Sequence, residues 1–274
     1  MQHIANTQYC SRSSGGRTRL PRRLCRTIIF ISLFLCPAVE IAAAELLPPP
    51  FTPGEKLVFE LKWTLVSAGE ATLEVLPMIR FKQSNAYHFR LTARTNKTLD
   101  RLYKVRDRID AYTDTQVART LYFAQKQRER NYHKLASVNF FWDRNEAQYH
   151  DLLKEKKRKP VPLMPGALDP LAVFYHARCL PLKEGMVMER PVTDGKKCVI
   201  GKATIIRRES VTVKAGTFDT FLMIPELKHI GGVFKKSENA KIEIWVTADR
   251  RKMPVKLRSE VAVGRFTAEL ISYQ

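Results

Sequence analysis

From Ala240 to Gln274 the chain reads AKIEIWVTADRRKMPVKLRSEVAVGRFTAELISYQ. Apolar and polar residues alternate in three segments of it. Ile242, Ile244 and Val246 fall on one face, with Lys241, Glu243 and Thr247 opposite. Val255, Leu257 and Val261 repeat the pattern against Lys256, Arg258 and Glu260, and Phe266, Ala268 and Leu270 repeat it against Thr267 and Glu269. A period of two places one face in water and one in a core, which is a β-strand. The breaks at Ala248-Asp249-Arg250-Arg251, with Pro254 after it, and at Gly264-Arg265 carry turn chemistry. The pattern predicts a three-stranded antiparallel meander whose apolar face needs a cover from upstream.

The same alternation runs through the rest. Leu57, Phe59, Leu61 and Trp63 oppose Glu60, Lys62 and Thr64, and Ala71, Leu73 and Val75 return after Ser67-Ala68-Gly69, read as the hairpin turn. Further strands fall at Ala86–Thr95, Arg106–Thr113, Thr120–Arg130, His133–Trp142 and Ala147–Leu153, with a single helical turn in Lys97–Lys104. After Gly185 come Met186–Val192, Cys198–Ile206, Glu209–Val213, a turn at Lys214-Ala215-Gly216-Thr217, then Phe218–Leu227 and the pair Gly231-Gly232. Asp169–Leu182 is the one helical stripe: Asp169 can cap it, Pro170 suits the first position, and Leu171, Phe174, Tyr175 and Leu182 share a side. The expected fold is all-β, an antiparallel β-barrel or half-barrel of about eleven strands with one short packed helix as plug or lid.

The first 44 residues do not belong to that fold. Six arginines precede the apolar run IIFISLFLCPAV, and Ala42-Ala43-Ala44 follow, the order of a secretory signal peptide. The run is shorter than the ~20 residues a spanning helix needs. Cleavage after about Ala44 leaves a proline-rich lead-in at 45–53 and one domain at 54–274, expected in the periplasm. Cys10, Cys25 and Cys36 leave with the leader, so Cys179 and Cys198 remain, a candidate disulfide in an oxidising compartment. Of the net charge of +20, a net +15 stays with the mature chain. That balance favours anionic partners, and export turns the choice from nucleic acid to lipid headgroups or lipopolysaccharide.

Several short motifs stand in a fixed order: Phe51-x-Pro-Gly-Glu55, Ala68-Gly69, Asp169-Pro170-Leu171 leading to Phe174-Tyr175 and Arg178, Val213-x-Ala-Gly216-Thr-Phe-Asp219, and Trp245-x-Thr-x-Asp249 with Pro254-Val255 after it. In these the mature chain resembles the DUF3108 family of exported bacterial proteins, from Phe51 to Gln274. The resemblance implies an exported β-barrel or half-barrel. It implies no activity.

Candidate chemistry is sparse. His88, His133, His150, His176 and His229 stand singly, without metal-ligand spacing, and read as surface or strand-edge residues. The pairs Asp107/Asp110 and Glu238/Glu243 read as solvent-facing strand carboxylates, and Asp219 and Asp249 as turn formers. Glu55, beside Gly54, reads as a lock on the lead-in. No metal or cofactor is expected. Trp63, Phe89, Phe123, Phe141 and Trp245 could line a ligand cavity or fill a core. Lys154, Lys156, Lys157, Arg158 and Lys159 form a basic loop that could meet an anionic envelope surface. The leading expectation is a non-enzymatic periplasmic protein holding an apolar or acyl ligand. The alternatives are a filled barrel that docks on lipopolysaccharide, peptidoglycan or an envelope protein, and, third, a glycan hydrolase with two converging carboxylates.

Overall fold

Strands make up most of what the computed structural model describes, which is residues 48–226, 241–261 and 264–274, the Val261 side chain excepted. The expected leader with its expected cleavage point, residues 45–47 of the lead-in, His229, Gly231-Gly232 and Glu238 lie outside the described residues. In chain order the strands are β1 (Lys56–Trp63), β2 (Val66–Phe81), β3 (Ser84–Thr95), β4 (Arg106–Thr113), β5 (Thr120–Glu129), β6 (Tyr132–Phe141), β7 (Glu146–Asp151), β8 (Lys156–Lys157) and β9 (Val161–Pro162). Helix α1 (Ala172–Arg178) follows, then β10 (Val187–Thr193), β11 (Cys198–Val213), β12 (Gly216–Pro225), β13 (Lys241–Thr247), β14 (Pro254–Val261) and β15 (Gly264–Tyr273). A 3₁₀ turn at Leu99–Arg101 fills the segment where a single helical turn is expected.

One sheet runs β10-β11-β12-β13-β14-β15-β1-β2-β3-β4-β5-β6-β7-β8, with β9 beside β7. Every strand ladder is antiparallel, and the C-terminal meander β13-β14-β15 forms as its alternation predicts. Pairing of β1 with β15 joins the first described strand to the last, Leu57 opposite Tyr273 and Trp63 opposite Phe266. Among the described residues the count is fifteen strands, where about eleven are expected. Two-residue strands such as β8 and β9 are too short to show alternation, so pattern reading passes over them. A break in register between Ile205 and Arg207 interrupts the alternation of β11, and its one long strand reads as two.

The sheet does not close on itself by a ladder; β8 and β10 are its edges. The chain at 163–168 ties the β10 edge to the other half. Leu163 N donates to Asn145 O (2.7 Å) and Thr120 N to Ala167 O (3.2 Å), while Leu168 N donates to Pro191 O (3.0 Å) and Thr193 N to Leu168 O (2.9 Å). Gly195, at φ +81°, lies so close to β6 that a Cβ there would sit 2.6 Å from Val138 Cγ2.

Ser67-Ala68-Gly69 is not the first turn. The chain reverses at Thr64-Leu65, with Thr64 in the left-handed region at φ 56°, and Gly69 sits inside β2 opposite Leu61 and Thr95. Its glycine identity answers a close approach. A Cβ at Gly69 would lie 2.0 Å from Arg94 O, a backbone atom that can yield only if the β2–β3 ladder moves. Gly69→Ala should therefore cost about 2–3 kcal/mol, of the order of overpacking a core. A urea midpoint unchanged from wild type would show that the ladder gives way freely.

Helix α1 is shorter than the predicted Asp169–Leu182. Asp169 Oδ1 accepts from Leu171 N (2.8 Å) and Ala172 N (3.0 Å), the predicted capping role. Beyond Arg178 the chain tightens into i→i+3 bonds, Cys179 N to His176 O and Leu180 N to Ala177 O, and Pro181 follows.

The turns sort to two ends. The β13–β14 and β4–β5 loops lie at the end that carries α1, the helix end. The β1–β2, β3–β4, β5–β6, β7–β8 and β14–β15 connections lie at the other, the hairpin end. The main core packs Leu57, Phe59, Phe89, Phe123 and Val138 of the sheet against Leu171, Ala172 and Tyr175 of the helix region. A second cluster joins Ile205, Phe221, Met223 and Val246.

Candidate functional site

Three distant stretches meet at the helix end. Arg178, on the last turn of α1, is 1 % exposed along its side chain. It donates through Nη1 to Glu55 Oε1 (2.6 Å) and through Nη2 to Glu55 Oε2 (2.8 Å), a bidentate pair. Its Nε and Nη2 also donate to Arg251 O at 3.3 and 3.1 Å. That carbonyl is presented by a loop which Asp249 holds: Asp249 Oδ1 accepts from Thr247 Oγ1 (2.6 Å) and Arg251 N (3.0 Å), and Thr247 Oγ1 in turn accepts from Met253 N (2.9 Å). The guanidinium lies 4.9 Å from the Phe51 ring centre and 5.5 Å from that of Tyr175. Tyr175 stacks on Phe89 at 3.9 Å, and Phe51 meets both rings edge-on. Glu55 thus does more than lock the lead-in: with Arg178 it joins the start of β1 to the helix and to the β13–β14 loop.

The family match takes in Arg178 and the Thr247–Met253 loop and begins just after Phe51 and Glu55. Residues 58–271 match DUF3108, described as a protein of unknown function. The chain belongs to the DUF3108 family. Its Phe51–Glu55, Asp169–Arg178 and Thr247–Asp249 stretches meet in the one structural knot described above. Among solved structures, this DUF3108 chain is similar to a β-barrel-like protein of the DUF1849 domain from Brucella abortus, with TM-score 0.50, 10 % identity, 85 % of this chain and 99 % of that one covered. It is also similar to a Parabacteroides distasonis protein whose description takes it to be a lipoprotein (TM-score 0.35, 12 % identity, 85 % and 99 % covered). A Bacteroides fragilis protein with a YmcC-like fold, described as thought to be exported, gives TM-score 0.34 at 8 % identity over 85 % and 100 %. No curated protein matches.

The five aromatic candidates do not line one space. Phe89 and Phe123 are buried in the core on either side of Ala111. Trp63 is 45 % exposed at the hairpin end and stacks on Phe266 at 6.4 Å. Phe141 is half-buried under the Arg144 guanidinium, 4.4 Å from the ring centre. Trp245 is buried and donates its Nε1 hydrogen to Glu209 Oε1 (2.8 Å). It floors a small open concavity of about 220 Å³ with Arg207, Val211, Lys256 and Arg258 around it. These cations have partners: Arg207 meets Glu209, Arg258 meets Glu243 and Lys256 meets Glu269. A larger concavity, about 360 Å³, opens between Phe81, Leu121, Phe140 and Trp142, with Lys82 and Asp143 on its lining.

The predicted disulfide is absent; Cys179 and Cys198 are both free thiols. Cys179 ends α1 fully buried, with Sγ turned to Tyr175 O at 3.7 Å, and burial pushes its thiol up to about 11. Such a thiol is held in its neutral, unreactive form.

The readings of five single residues also change. His88 and His176 are buried, not at the surface. His88 Nε2 lies 2.7 Å from Asp110 Oδ1, and Asp110 also accepts from Arg90 Nε (2.8 Å) and Arg108 Nε (2.6 Å). Burial opposes the Asp110 charge, but these donors outweigh it and hold its carboxyl well below the usual range. Glu243 is likewise buried, paired with Lys241 and Arg258. Asp219 lies within β12 opposite Ser210, paired with Arg208, rather than in a turn. Nothing in local alternation marks a polar face that its neighbours' long side chains will cover.

Lys154, Lys156, Lys157, Arg158 and Lys159 are all exposed. The run is not wholly a loop. Lys156 and Lys157 pair with Asp151 and His150, and Arg158 N donates to Tyr149 O, so the run forms the free edge of the sheet. Lysines on an edge strand also discourage pairing with a second sheet.

Proposed function

We propose that this DUF3108 protein is a non-enzymatic, exported envelope protein that works through its outer surface, with its interior given over to packing. The observation that carries this is the filled helix end. Phe51, Phe89, Tyr175 and the Arg178–Glu55 pair occupy the place where a ligand carried inside a barrel would enter beneath a helical lid. Export rests on the leader-like first 44 residues, and among the described residues no helix is long and apolar enough to cross a membrane. A second reading keeps the ligand and moves it: the 360 Å³ aromatic concavity at Phe81, Leu121, Phe140 and Trp142 is of the size that takes a small apolar molecule.

Cell fractionation followed by native mass spectrometry separates these readings. The expected result is a periplasmic protein processed near Ala44 that carries no bound lipid. A stoichiometric acyl ligand lost on Trp142→Ala would move the function into the concavity, and an unprocessed cytoplasmic chain would end the envelope reading altogether.

A further inference from the structure

The hairpin end differs from the rest of the surface. Its turns stand side by side and are tied to one another. Thr64 N donates to Arg265 O (2.7 Å), Asn96 Nδ2 to Ser67 O (2.7 Å), Arg130 N to Lys104 O (2.9 Å) and Leu152 N to Leu135 O (2.8 Å). These bonds link the start of β15, the β1–β2 turn, the β3–β4 loop and the β5–β6 turn in one row, and the β7–β8 turn joins it through Leu135 of β6.

Nine of the fourteen large apolar side chains exposed among the described residues lie on these turns or at the strand ends beside them, while the others are scattered. They project from turns rather than line a groove. Leu65 is 91 % exposed, Leu102 74 % and Val66 65 %, and Tyr132, Leu152 and Leu153 follow along the row. An apolar group this exposed costs free energy in water unless something covers it. Exposed cations stand among the tips: Lys97, Arg101, Lys104, Arg130, Lys154 and Arg265. The edge run Lys156–Lys159 continues the positive charge away from Lys154. Against these stand Glu155, Asp100, which Arg106 takes up, Glu260, which pairs with Arg265, and Glu129 and Asp151 at the strand ends.

We infer that the hairpin end is a docking face for an anionic phospholipid leaflet, the leucine tips entering the acyl boundary while the lysines and arginines meet the headgroup phosphates. The chemistry follows from the pairing. Protruding apolar points backed by cations match a surface that is anionic at the headgroups and apolar a few ångströms beneath. A protein partner would be met by a flatter apolar patch with a polar rim. The inference rests on the reading above that the protein acts outside the cytoplasm through its surface, and names the partner.

The test is sedimentation of the protein, purified as the cell leaves it, with vesicles of phosphatidylglycerol and phosphatidylethanolamine, and with vesicles of phosphatidylcholine alone. Binding is expected to the anionic vesicles only and to weaken as salt rises, because exposed charges are screened. Leu65→Ser with Leu153→Ser should weaken it about tenfold, since two apolar side chains leave the acyl boundary. Both positions are exposed, so an unchanged thermal midpoint confirms an intact fold. Charge reversal at Lys156, Lys157 and Arg158 should weaken binding and flatten its salt dependence. Equal binding to both vesicle types, leucine variants that bind like wild type, or no binding at all would each overturn the inference. A protein that fails to bind yet fractionates to the periplasm without bound lipid would leave the surface-acting reading standing, whereas a cytoplasmic chain would remove that reading as well.

Discussion

Arg178→Met should destabilise the protein by about 3–5 kcal/mol, the cost of leaving one partner of a buried ion pair without the other. The substitution removes both hydrogen bonds to Glu55, both to the Arg251 carbonyl and the cation over the Phe51 ring. Glu55 would remain only 14 % exposed along its side chain, with its charge uncompensated. Adding Glu55→Gln should return at least half of the loss, because the penalty lies chiefly in the stranded carboxylate. Denaturant midpoints of the two single variants and the double variant form a cycle that measures the coupling. Additive losses would mean that the two groups act independently, contrary to the geometry. Tyr175→Phe is the contrasting case in the same core. The Tyr175 hydroxyl is buried with no hydrogen-bond partner among the described residues, so losing it should be neutral or slightly stabilising.

Acid should find His176 next. Burial, then the neighbouring Arg190 charge, pull its pKa down from 6.5 to about 4, although its Nδ1 hydrogen bonds to Val117 O at 2.8 Å. A histidine depressed in the fold is bound neutral. Its contribution is present above 6.5 and is lost as pH falls toward 4, about 3 kcal/mol in all by linkage. Asp169 works in the opposite sense. Burial raises it from 3.8 to about 6 against the hydrogen bonds of Ala172, Thr120 and Leu171, so its share is present below 3.8 and is lost as pH rises through 6. The two windows overlap on one helix and partly cancel in the wild type. His176→Gln should expose the difference: relative to wild type it should gain roughly 2–3 kcal/mol between about pH 7.5 and about pH 4.5. Urea titrations at the two pH values check this, and an equal wild-type-to-variant difference at both would show that His176 protonates freely in the fold. Asp169→Asn should shift in the reverse direction over the same range.

Much of the fold can be read from the chain because alternation is a local property. The meander of β13, β14 and β15, the turn at Lys214-Ala215, the single helix and its Asp169 cap each need only residues within a few positions of one another. What alternation cannot supply is the cover on each face and the partner across the chain. Whether Asp110 and Glu243 meet water depends on arginines and lysines laid over them from their own and neighbouring strands. Glycine at 69 answers a carbonyl on the next strand rather than a turn. Arg178 and Glu55 are 123 positions apart, and no periodic signal links them. The row of exposed leucines at one end appears only once antiparallel pairing has brought alternate turns together. Sequence alone determined most of the longer strands, the antiparallel order of the meander and the place of the helix, because nearest neighbours encode backbone geometry. Tertiary structure alone decided that the helix end is filled, that the two thiols stay apart and that the hairpin end is apolar and cationic, because those follow from contacts between residues far apart along the chain.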